Sequence, residues 1–307
     1  MSQHRLALAT ISALLTLACG HSQVAPPAAA PGHGEASAAR GEYIVRNVAV
    51  CGQCHAADPH HDVDGALSGG MEFQDWRIGT ARAANLTSDP ETGLGNWSEA
   101  VIVRALRNGE DDEGKVLAPV MPYAWFHQMS DDDAFAVARY LKSLPPVKNE
   151  VTQSRSLMFK IGSHTFLKPL AGTTETAPPR GVTAEYGGYL AQHVGLCGEC
   201  HTPRTGIRSE PDRSRLFAGM TNPPKGFPAH PSNLTPDTET GIGSWKEEDF
   251  IRTLRTGTDP EGKPLNPFMP WRQVSRMSDD DLRAIYLYLR TLPPIRNAIR
   301  AQTGAGR

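Results

Sequence analysis

The feature that most constrains this chain is a five-residue pattern, C-x-x-C-H, found at residues 51–55 and again 146 positions later at residues 197–201. This spacing is the signature of a covalently attached c-type haem. Two thiols three positions apart can reach the two vinyl groups of one haem, and the next residue then supplies an imidazole to the iron. The sequence therefore predicts two haems, one held by Cys51, Cys54 and His55 and the other by Cys197, Cys200 and His201.

Two other interpretations of a C-x-x-C pair are a thioredoxin-like redox site and half of a zinc ribbon. A redox pair does not require a histidine in the next position, yet a histidine follows both pairs here. A zinc site would have to join the two pairs across a long insertion and would leave both histidines unused. The repeated histidine therefore favours haem attachment.

The composition agrees with a loop-rich protein whose core is completed by a large apolar cofactor. The 307-residue chain contains 29 Gly and 25 Pro, and aromatic residues make up only 7% of it. Its formal net charge is -2, and its basic residues are scattered among acidic ones rather than gathered in a stripe. We therefore expect no nucleic-acid partner.

The repeat extends well beyond the haem patterns. Residues 85–97 (NLTSDPETGLGNW) match residues 233–245 (NLTPDTETGIGSW), and Met-Pro, Met-Ser-Asp-Asp-Asp and Leu-Pro-Pro sequences also recur at an offset of 148. Because the offset at the haem patterns is 146, the second copy carries a net insertion of two residues just after its own pattern. A duplicated unit predicts one haem in each copy.

Each copy is predicted to be helical. A first helix leads into the haem pattern, and a middle helix ends at a glycine. A last helix begins with a capping-box pattern at Ser130 or Ser278 and ends before a Pro-Pro pair. The pattern predicts an all-α fold with domains at residues 39–147 and 183–296.

The segment at residues 148–182 is predicted to be a packed connection rather than a flexible linker. Its apolar residues are expected to pack across both domains and to fix the distance between the haems; they are Leu157, Met158, Phe159, Ile161, Phe166, Leu167 and Leu170. Residues 297–307 are predicted to form a disordered tail.

The N-terminus has the pattern of an export signal. A positive charge at Arg5 precedes an apolar run of 13 residues that ends beside Cys19, which predicts a signal peptide over residues 1–18. The residues before Cys19 resemble a bacterial lipobox, so Cys19 is predicted to carry a lipid that anchors the protein to a membrane surface. Cleavage farther along, near residues 28–30, is the alternative. Residues 19–38 would then be a flexible tether.

Met121 and Met269 are the candidate second axial ligands. They lie at matching positions of the repeat, 70 and 72 residues after the first cysteine of their haem patterns, and each precedes a proline. A thioether favours Fe(II), so His/Met ligation raises the reduction potential. The alternative role for any methionine is to fill the core.

On these motifs each copy resembles a class I cytochrome c domain. Residues 233–245 and the Cys-His-Thr-Pro-Arg sequence at 200–204 are similar to cytochrome subunits of periplasmic alcohol, aldehyde and sugar-acid dehydrogenases, over about 230 residues. The resemblance implies two tandem all-α domains that each enclose a His/Met-ligated haem. It also implies residues that line the haem edges, namely Asn85, Trp97, Asn233 and Trp245.

The expected function is transfer of single electrons outside the inner membrane. The donor would be a periplasmic or membrane dehydrogenase or a quinol-linked protein, and the acceptor an oxidase or a small cytochrome. A haem with both axial positions filled leaves no place for a substrate, so no catalytic residue is expected. The alternative is an enzyme similar to dihaem cytochrome c peroxidases, which need one haem with an open or displaceable axial position.

The two haems are expected to differ in reduction potential. Arg204 follows the second haem pattern, whereas Asp58 lies at a similar place after the first. An arginine near a haem edge can pair with a propionate and favour the reduced state. The C-terminal haem is therefore expected to have the higher potential.

Overall fold

The computed structural model describes residues 35–58, 62–165, 167–172, 176–206, 209–223, 227 and 229–299. The predicted signal peptide, Cys19 and most of the predicted tether lie outside the described residues, as do residues 300–307.

Most of the described secondary structure is helical, and the same order of helices occurs in both copies. In the N-terminal copy they are α1 (Glu35–Tyr43), which continues through a π-helical turn at Ile44–Val48, α2 (Gly52–His55), α3 (Glu99–Asn108), α4 (Tyr123–Phe126) and α5 (Asp131–Ser143). The connecting segment contains α6 (Leu157–Thr165). The C-terminal copy contains α7 (Ala184–Tyr189) with a π-helical turn at Leu190–Val194, α8 (Cys197–His201), α9 (Glu247–Thr256), α10 (Trp271–Val274) and α11 (Asp279–Thr291).

The predicted ends of the longer helices are confirmed. The Ser130 hydroxyl accepts the Asp133 amide at the start of α5 (3.3 Å), and the Ser278 hydroxyl accepts the Asp281 amide at the start of α11 (3.1 Å). Helices α3 and α9 end at Gly109 and Gly257, whose φ angles of 67° and 68° lie in the left-handed region that favours glycine.

Within each copy the first and last helices pack closely through a glycine. A Cβ at Gly41 of α1 would collide with the Ala136 carbonyl of α5, and a Cβ at Gly187 of α7 would collide with the Ala284 carbonyl of α11. Glycine therefore lets the two backbones approach within each copy.

The two copies are joined by reciprocal hydrogen bonds. The Tyr189 hydroxyl from the C-terminal copy donates to Asp133 at 2.8 Å and accepts the Ser130 amide at 3.1 Å. The equivalent Tyr43 hydroxyl donates to Asp281 at 2.6 Å and accepts the Ser278 amide at 2.9 Å. A continuous apolar core contains side chains of both copies. The first helix of each copy thus hydrogen-bonds to the N-terminal end of the last helix of the other copy.

The prediction of an all-α fold was incomplete, because the structure also contains small antiparallel sheets. One sheet has strands β1 (Glu72–Asp75), β2 (Gly79–Arg82) and β3 (Ser154–Arg155) in that order, and the other pairs β4 (Arg204–Thr205) with β5 (Glu210–Pro211). Strands of two to four residues are too short to produce a recognisable alternation of apolar and polar residues.

Strand β3 and the buried face of helix α6 pack against the N-terminal copy, and Phe166, one of the residues expected to pack, lies outside the described residues. Strand β3 pairs with β2, and the Phe159 ring is buried in a small apolar cluster with Ala81, Val116 and Ala118. Contrary to the expectation, the side chains at positions 157, 158 and 161 are exposed to 74%, 48% and 55%. They lie on the outer face of α6, because its inner face is used by Phe159.

Two predicted flexible regions are partly ordered. Helix α1 begins at Glu35, within the predicted tether, and Ser37 is held by a 2.8 Å hydrogen bond from Arg139 of α5. In the predicted tail, Asn297 donates to the Ala218 carbonyl at 2.7 Å. Asn149 makes the equivalent bond to Ser68 in the N-terminal copy. Among the described helices, none has the length and apolar character to cross a bilayer.

Candidate functional site

A cavity of about 2510 Å³ lies between the two copies and is lined by residues of both. Apolar and aromatic side chains make up much of its wall, which suits a large apolar cofactor. The cavity brings together nearly all the residues predicted from the sequence. Its wall includes Cys51, Cys54, His55, Trp97, Met121, Cys197, Cys200, His201, Arg204, Asn233, Trp245 and Met269.

The four cysteines of the two patterns lie in or beside the short helices α2 and α8, and none of them is joined to another in a disulfide. They border the cavity while being surrounded by protein on their other sides. This burial raises the pKa of the Cys51 and Cys200 thiols to about 12 and that of the Cys54 and Cys197 thiols to about 11. A reactive redox pair needs a thiol with a lowered pKa, so the surroundings do not suit the thioredoxin-like alternative.

The two histidines are oriented by backbone carbonyls. The His55 Nδ1 atom lies 2.8 Å from the Ala84 oxygen, and the His201 Nδ1 atom lies 2.8 Å from the Ser232 oxygen. Because a carbonyl can only accept, Nδ1 carries the proton and Nε2 keeps its lone pair. Burial lowers the pKa of both imidazoles, although the hydrogen bond opposes this effect. A neutral, oriented imidazole is the form that ligates a metal.

The repeated NLT sequences hold these carbonyls in place. The Asn85 side chain donates to the Val147 carbonyl at 2.7 Å and accepts the Thr87 amide at 3.0 Å. Asn233 makes the same bonds to Ile295 and Thr235 at 2.7 and 3.0 Å. Asn85 is not part of the cavity wall, whereas Asn233 is. Both asparagines therefore serve the loop that presents the carbonyl to the histidine.

Met121 and Met269 occupy the same turn in their copies. The Met121 amide donates to the Ala118 carbonyl at 3.0 Å, and the Met269 amide donates to the Asn266 carbonyl at 2.9 Å. Both side chains are half-buried at the cavity, while Met129 and Met277 are buried in the core with 0% and 3% exposure. Met277 also borders the cavity, as does the half-buried Met71, so the equivalent turns of Met121 and Met269 rather than burial alone distinguish these two as candidate ligands.

Arg204 has a protein partner that the sequence argument did not consider. Its guanidinium forms an ion pair with Glu199 and donates to the Ser209 carbonyl at 2.7 Å. The other Glu199 oxygen accepts the indole N–H of Trp125, which belongs to the N-terminal copy. Burial raises the pKa of Glu199, and these donors oppose the rise. Since both carboxylate oxygens face donors, the geometry favours the ionised form.

Sequence reasoning missed Trp125. It is buried with 2% exposure, a Cβ at Gly198 would collide with its ring, and the Arg213 guanidinium lies 4.9 Å from it. The equivalent position in the C-terminal copy is Gln273. The signal in the sequence was that the repeat places a tryptophan at this position in one copy and a glutamine in the other.

Two buried polar atoms in the cavity wall have no hydrogen-bond partner among the described residues. They are Nη1 of Arg155 and Nδ1 of His230. A haem carries acidic side chains, and the unpaired N–H of Arg155 is a donor that suits them. Together with the thiols, the oriented histidines and the methionines, they fit a covalently bound haem.

A zinc site of the usual kind is not supported. Within the described part of the chain, no group of three or more His, Cys, Asp or Glu side chains converges to hold a metal ion. The two cysteine pairs therefore do not combine into one chelating cluster.

No protein-family model matches the chain. A dihaem cytochrome c-type protein of Cereibacter sphaeroides is 34% identical over 274 residues, which cover 85% of this chain and 87% of that protein. The chain belongs to the same family of c-type cytochromes. The predicted resemblance is confirmed, and this cytochrome is an electron carrier with covalently bound haem.

Two longer relatives are named as subunits of dehydrogenases. The cytochrome c subunit of a quinone-dependent alcohol dehydrogenase from Gluconobacter oxydans is 30% identical over 277 residues, which cover 85% of this cytochrome and 56% of the relative. A nicotinate dehydrogenase subunit from Pseudomonas putida is 33% identical over 297 residues, which cover 92% of this cytochrome and 24% of the relative. The chain thus spans about half the length of the alcohol dehydrogenase subunit and about a quarter of the length of the nicotinate dehydrogenase subunit. None of these three relatives supports the peroxidase alternative.

Proposed function

We propose that this cytochrome carries two haems, one attached at Cys51 and Cys54 and one at Cys197 and Cys200, and passes single electrons between protein partners. The observation that carries the proposal is that both cysteine pairs, both histidines and both candidate methionines border one cavity. The proposal includes two tandem cytochrome c domains, at residues 39–147 and 183–296, with α1 extending the first towards residue 35.

When bound, each haem would supply an iron that accepts and releases one electron. The chain's own residues have three tasks. The cysteines would hold the haem in place, and His55 or His201, fixed through Nδ1, would supply Nε2 as a ligand to the iron. Met121 or Met269 would supply a thioether as the second ligand, and the apolar part of the wall would exclude water. With both ligands in place, the site suits electron transfer rather than substrate binding.

The haem count and ligation can be tested on the purified protein. Mass spectrometry and haem staining of denaturing gels should give two covalent haems per chain. The oxidised protein should be low-spin and show the weak near-infrared sulfur-to-iron band of His/Met ligation. One haem per chain, a high-spin majority or rapid turnover of peroxide would contradict the proposal.

The partners are proposed from the relatives. Three relatives are named as dehydrogenase subunits: one of nicotinate dehydrogenase, one of a quinone-dependent alcohol dehydrogenase and one of gluconate 2-dehydrogenase. We therefore propose that a dehydrogenase or a quinol-linked protein reduces this cytochrome, and that an oxidase or a small cytochrome oxidises it. Affinity purification of the tagged protein from its host, after chemical cross-linking, should recover a dehydrogenase catalytic subunit. Recovery of only non-redox proteins would contradict the donor proposal.

The protein is proposed to work in the periplasm, attached to a membrane through Cys19. The support is the apolar run that ends beside this cysteine, which is not one of the four in the haem patterns. Replacing Cys19 with Ser should move the protein from the membrane to the soluble periplasmic fraction without loss of haem. A mature N-terminus well beyond residue 19, or unchanged fractionation, would contradict lipid anchoring.

A further inference from the structure

Arg155 lies in the connecting segment, on β3, and its side chain reaches the wall of the cavity. Its Nη1 atom is buried and has no hydrogen-bond partner among the described residues. The side chain forms no ion pair with a described carboxylate, and burial lowers its pKa while the more distant Asp111 opposes this. An arginine stays charged in a protein, so the cavity wall carries a half-buried cation with one buried, unused donor.

Contacts within the protein fix the position of the Arg155 guanidinium. Strand β3 pairs with β2 so that Arg155 lies opposite Gly79, and the guanidinium stacks 4.6 Å from the centre of the buried Phe159 ring. Gly79 has a φ of 87°, and a Cβ there would collide with the Ser154 carbonyl. This close strand pairing and the aromatic ring fix the backbone and the side chain of Arg155.

The surroundings assign Arg155 to the haem site of the N-terminal copy. Phe159 packs against Ala81 of β2. Just past the end of β2, the Ala84 carbonyl accepts the Nδ1 proton of His55. Strand β2 therefore links Ala84, whose carbonyl orients His55, to strand β3, which carries Arg155.

Two other arginines of the cavity wall have carboxylate partners. Arg204 pairs with Glu199, and Arg77 donates to Asp75 at 2.6 and 2.9 Å. Arg155 differs from these two because one face of its guanidinium covers Phe159 while its buried Nη1 has no partner among the described residues. Leaving a buried charged donor unpaired is costly, and a carboxylate is the ligand that matches a guanidinium best.

We propose that Arg155 binds a propionate carboxylate of the haem attached at Cys51 and Cys54. The inference rests on the proposed two-haem function. Pairing the propionate with a cation stabilises the reduced state of that haem. The expected order of potentials is therefore reversed, since Arg204 forms an ion pair with Glu199, whereas Arg155 forms none with a described carboxylate. The N-terminal haem becomes the one with the higher potential.

The test is a redox titration of the full-length holoprotein with Arg155→Met, Arg155→Gln and Arg155→Lys. Each redox step is assigned to a haem with Met121→His and Met269→His, which replace one thioether at a time and lower the potential of their own haem. Arg155→Met keeps the apolar stem on Phe159 and removes the charge. It should lower the reduced-to-oxidised ratio of the N-terminal haem at a fixed potential by roughly threefold to tenfold.

The comparison variants separate binding from packing. Arg155→Gln should act like Arg155→Met, and Arg155→Lys should restore most of the potential because it keeps the charge. The double change Arg77→Gln with Asp75→Asn, which removes both charges of an ion pair on the same wall, should move the step by less than a third as much. Resonance Raman should show a shifted propionate bending mode for the N-terminal haem in Arg155→Met but not in this double variant.

Two outcomes would overturn the inference. One is an N-terminal step and propionate mode that stay unchanged in Arg155→Met while the melting temperature falls, which would make Arg155 a packing residue. The other is a shift confined to the C-terminal haem. A wild-type protein that lacks a haem at Cys51 and Cys54 would instead defeat the proposed function on which the inference rests.

Discussion

In the N-terminal copy the fourth residue after the candidate methionine ligand is Trp125, whereas in the C-terminal copy it is Gln273. Both are buried, with exposures of 2% and 5%. Trp125 reaches across to Glu199 and Gly198 of the other copy's haem pattern, while Gln273 hydrogen-bonds Asp64 in the loop after the first pattern. Equivalent positions thus contact the opposite copy, but with different chemistry.

The contacts that repeat are those of the proposed haem sites. The bond from histidine to carbonyl, the NLT loop bonds and the methionine turn are nearly the same in both copies. The contacts that differ lie around the cavity and between the copies. The two copies therefore share the backbone arrangement proposed to hold a haem, and they differ in the surrounding charges and in the interface.

The largest expected effect comes from replacing the candidate methionine ligands, which lie in equivalent turns of the two copies. Replacing Met121 with Ala should open the iron of the N-terminal haem, lower its potential and allow it to bind carbon monoxide, because the thioether ligand is lost. Met269→Ala should do the same to the other haem. Each variant should keep half of the near-infrared band intensity. Loss of the whole band in either variant would show that the two sites are not independent.

The second test concerns the interface. Trp125→Ala should lower the free energy of unfolding by about 3–5 kcal/mol, because a large buried ring leaves a cavity behind. Gln273→Ala should cost about 1 kcal/mol, in line with the loss of one hydrogen bond. Urea denaturation of the holoprotein, followed by circular dichroism, measures both. Equal losses would mean that Trp125 is not the main anchor between the copies.

The third test uses acid to compare the two tyrosine–aspartate contacts. Burial alone would raise the pKa of Asp133, but Arg40, which donates to it at 2.8 Å, and Tyr189 lower it below its ordinary value. A carboxyl whose pKa is lower in the folded state stabilises the protein above its unfolded pKa. That contribution is lost as the pH falls through the folded pKa.

Asp133→Asn should therefore destabilise the protein by about 2 kcal/mol at neutral pH and by much less in acid. Asp281→Asn should have a smaller effect, because Asp281 lacks an equivalent of Arg40 and is more exposed. Urea titrations between about pH 3 and pH 7 measure the difference. An equal pH dependence of the two variants would remove the distinction between these contacts.

The smallest effect concerns the charge within the haem patterns. Glu199→Gln makes the second pattern identical to the first, and it should raise the C-terminal potential by on the order of tens of millivolts because a negative charge is removed. Gln53→Glu should lower the N-terminal potential. Gln53 now donates to the Phe268 carbonyl at 3.2 Å, so the new carboxylate would also lose that bond. Opposite shifts in redox titrations are expected, and shifts of the same sign would contradict an electrostatic origin.

The local structure around the two C-x-x-C-H patterns follows directly from the sequence. The spacing of cysteines and histidine, the serine caps of α5 and α11 and the glycines that end α3 and α9 depend on residues a few positions apart. Such contacts are set by helix geometry and by short hydrogen bonds, which a sequence pattern records directly. The repeat then indicated that the same frame is built twice.

Only the tertiary structure decided which charges are paired. From the sequence Arg204 looked available to a haem and Arg155 did not stand out, yet Arg204 is paired with Glu199 and Arg155 keeps an unused donor. The pairing of Tyr189 with Asp133 and of Trp125 with Glu199 joins residues 56 and 74 positions apart. The physical reason is that the partner of a charged or aromatic side chain depends on how distant segments pack, and short-range sequence patterns carry no record of that packing.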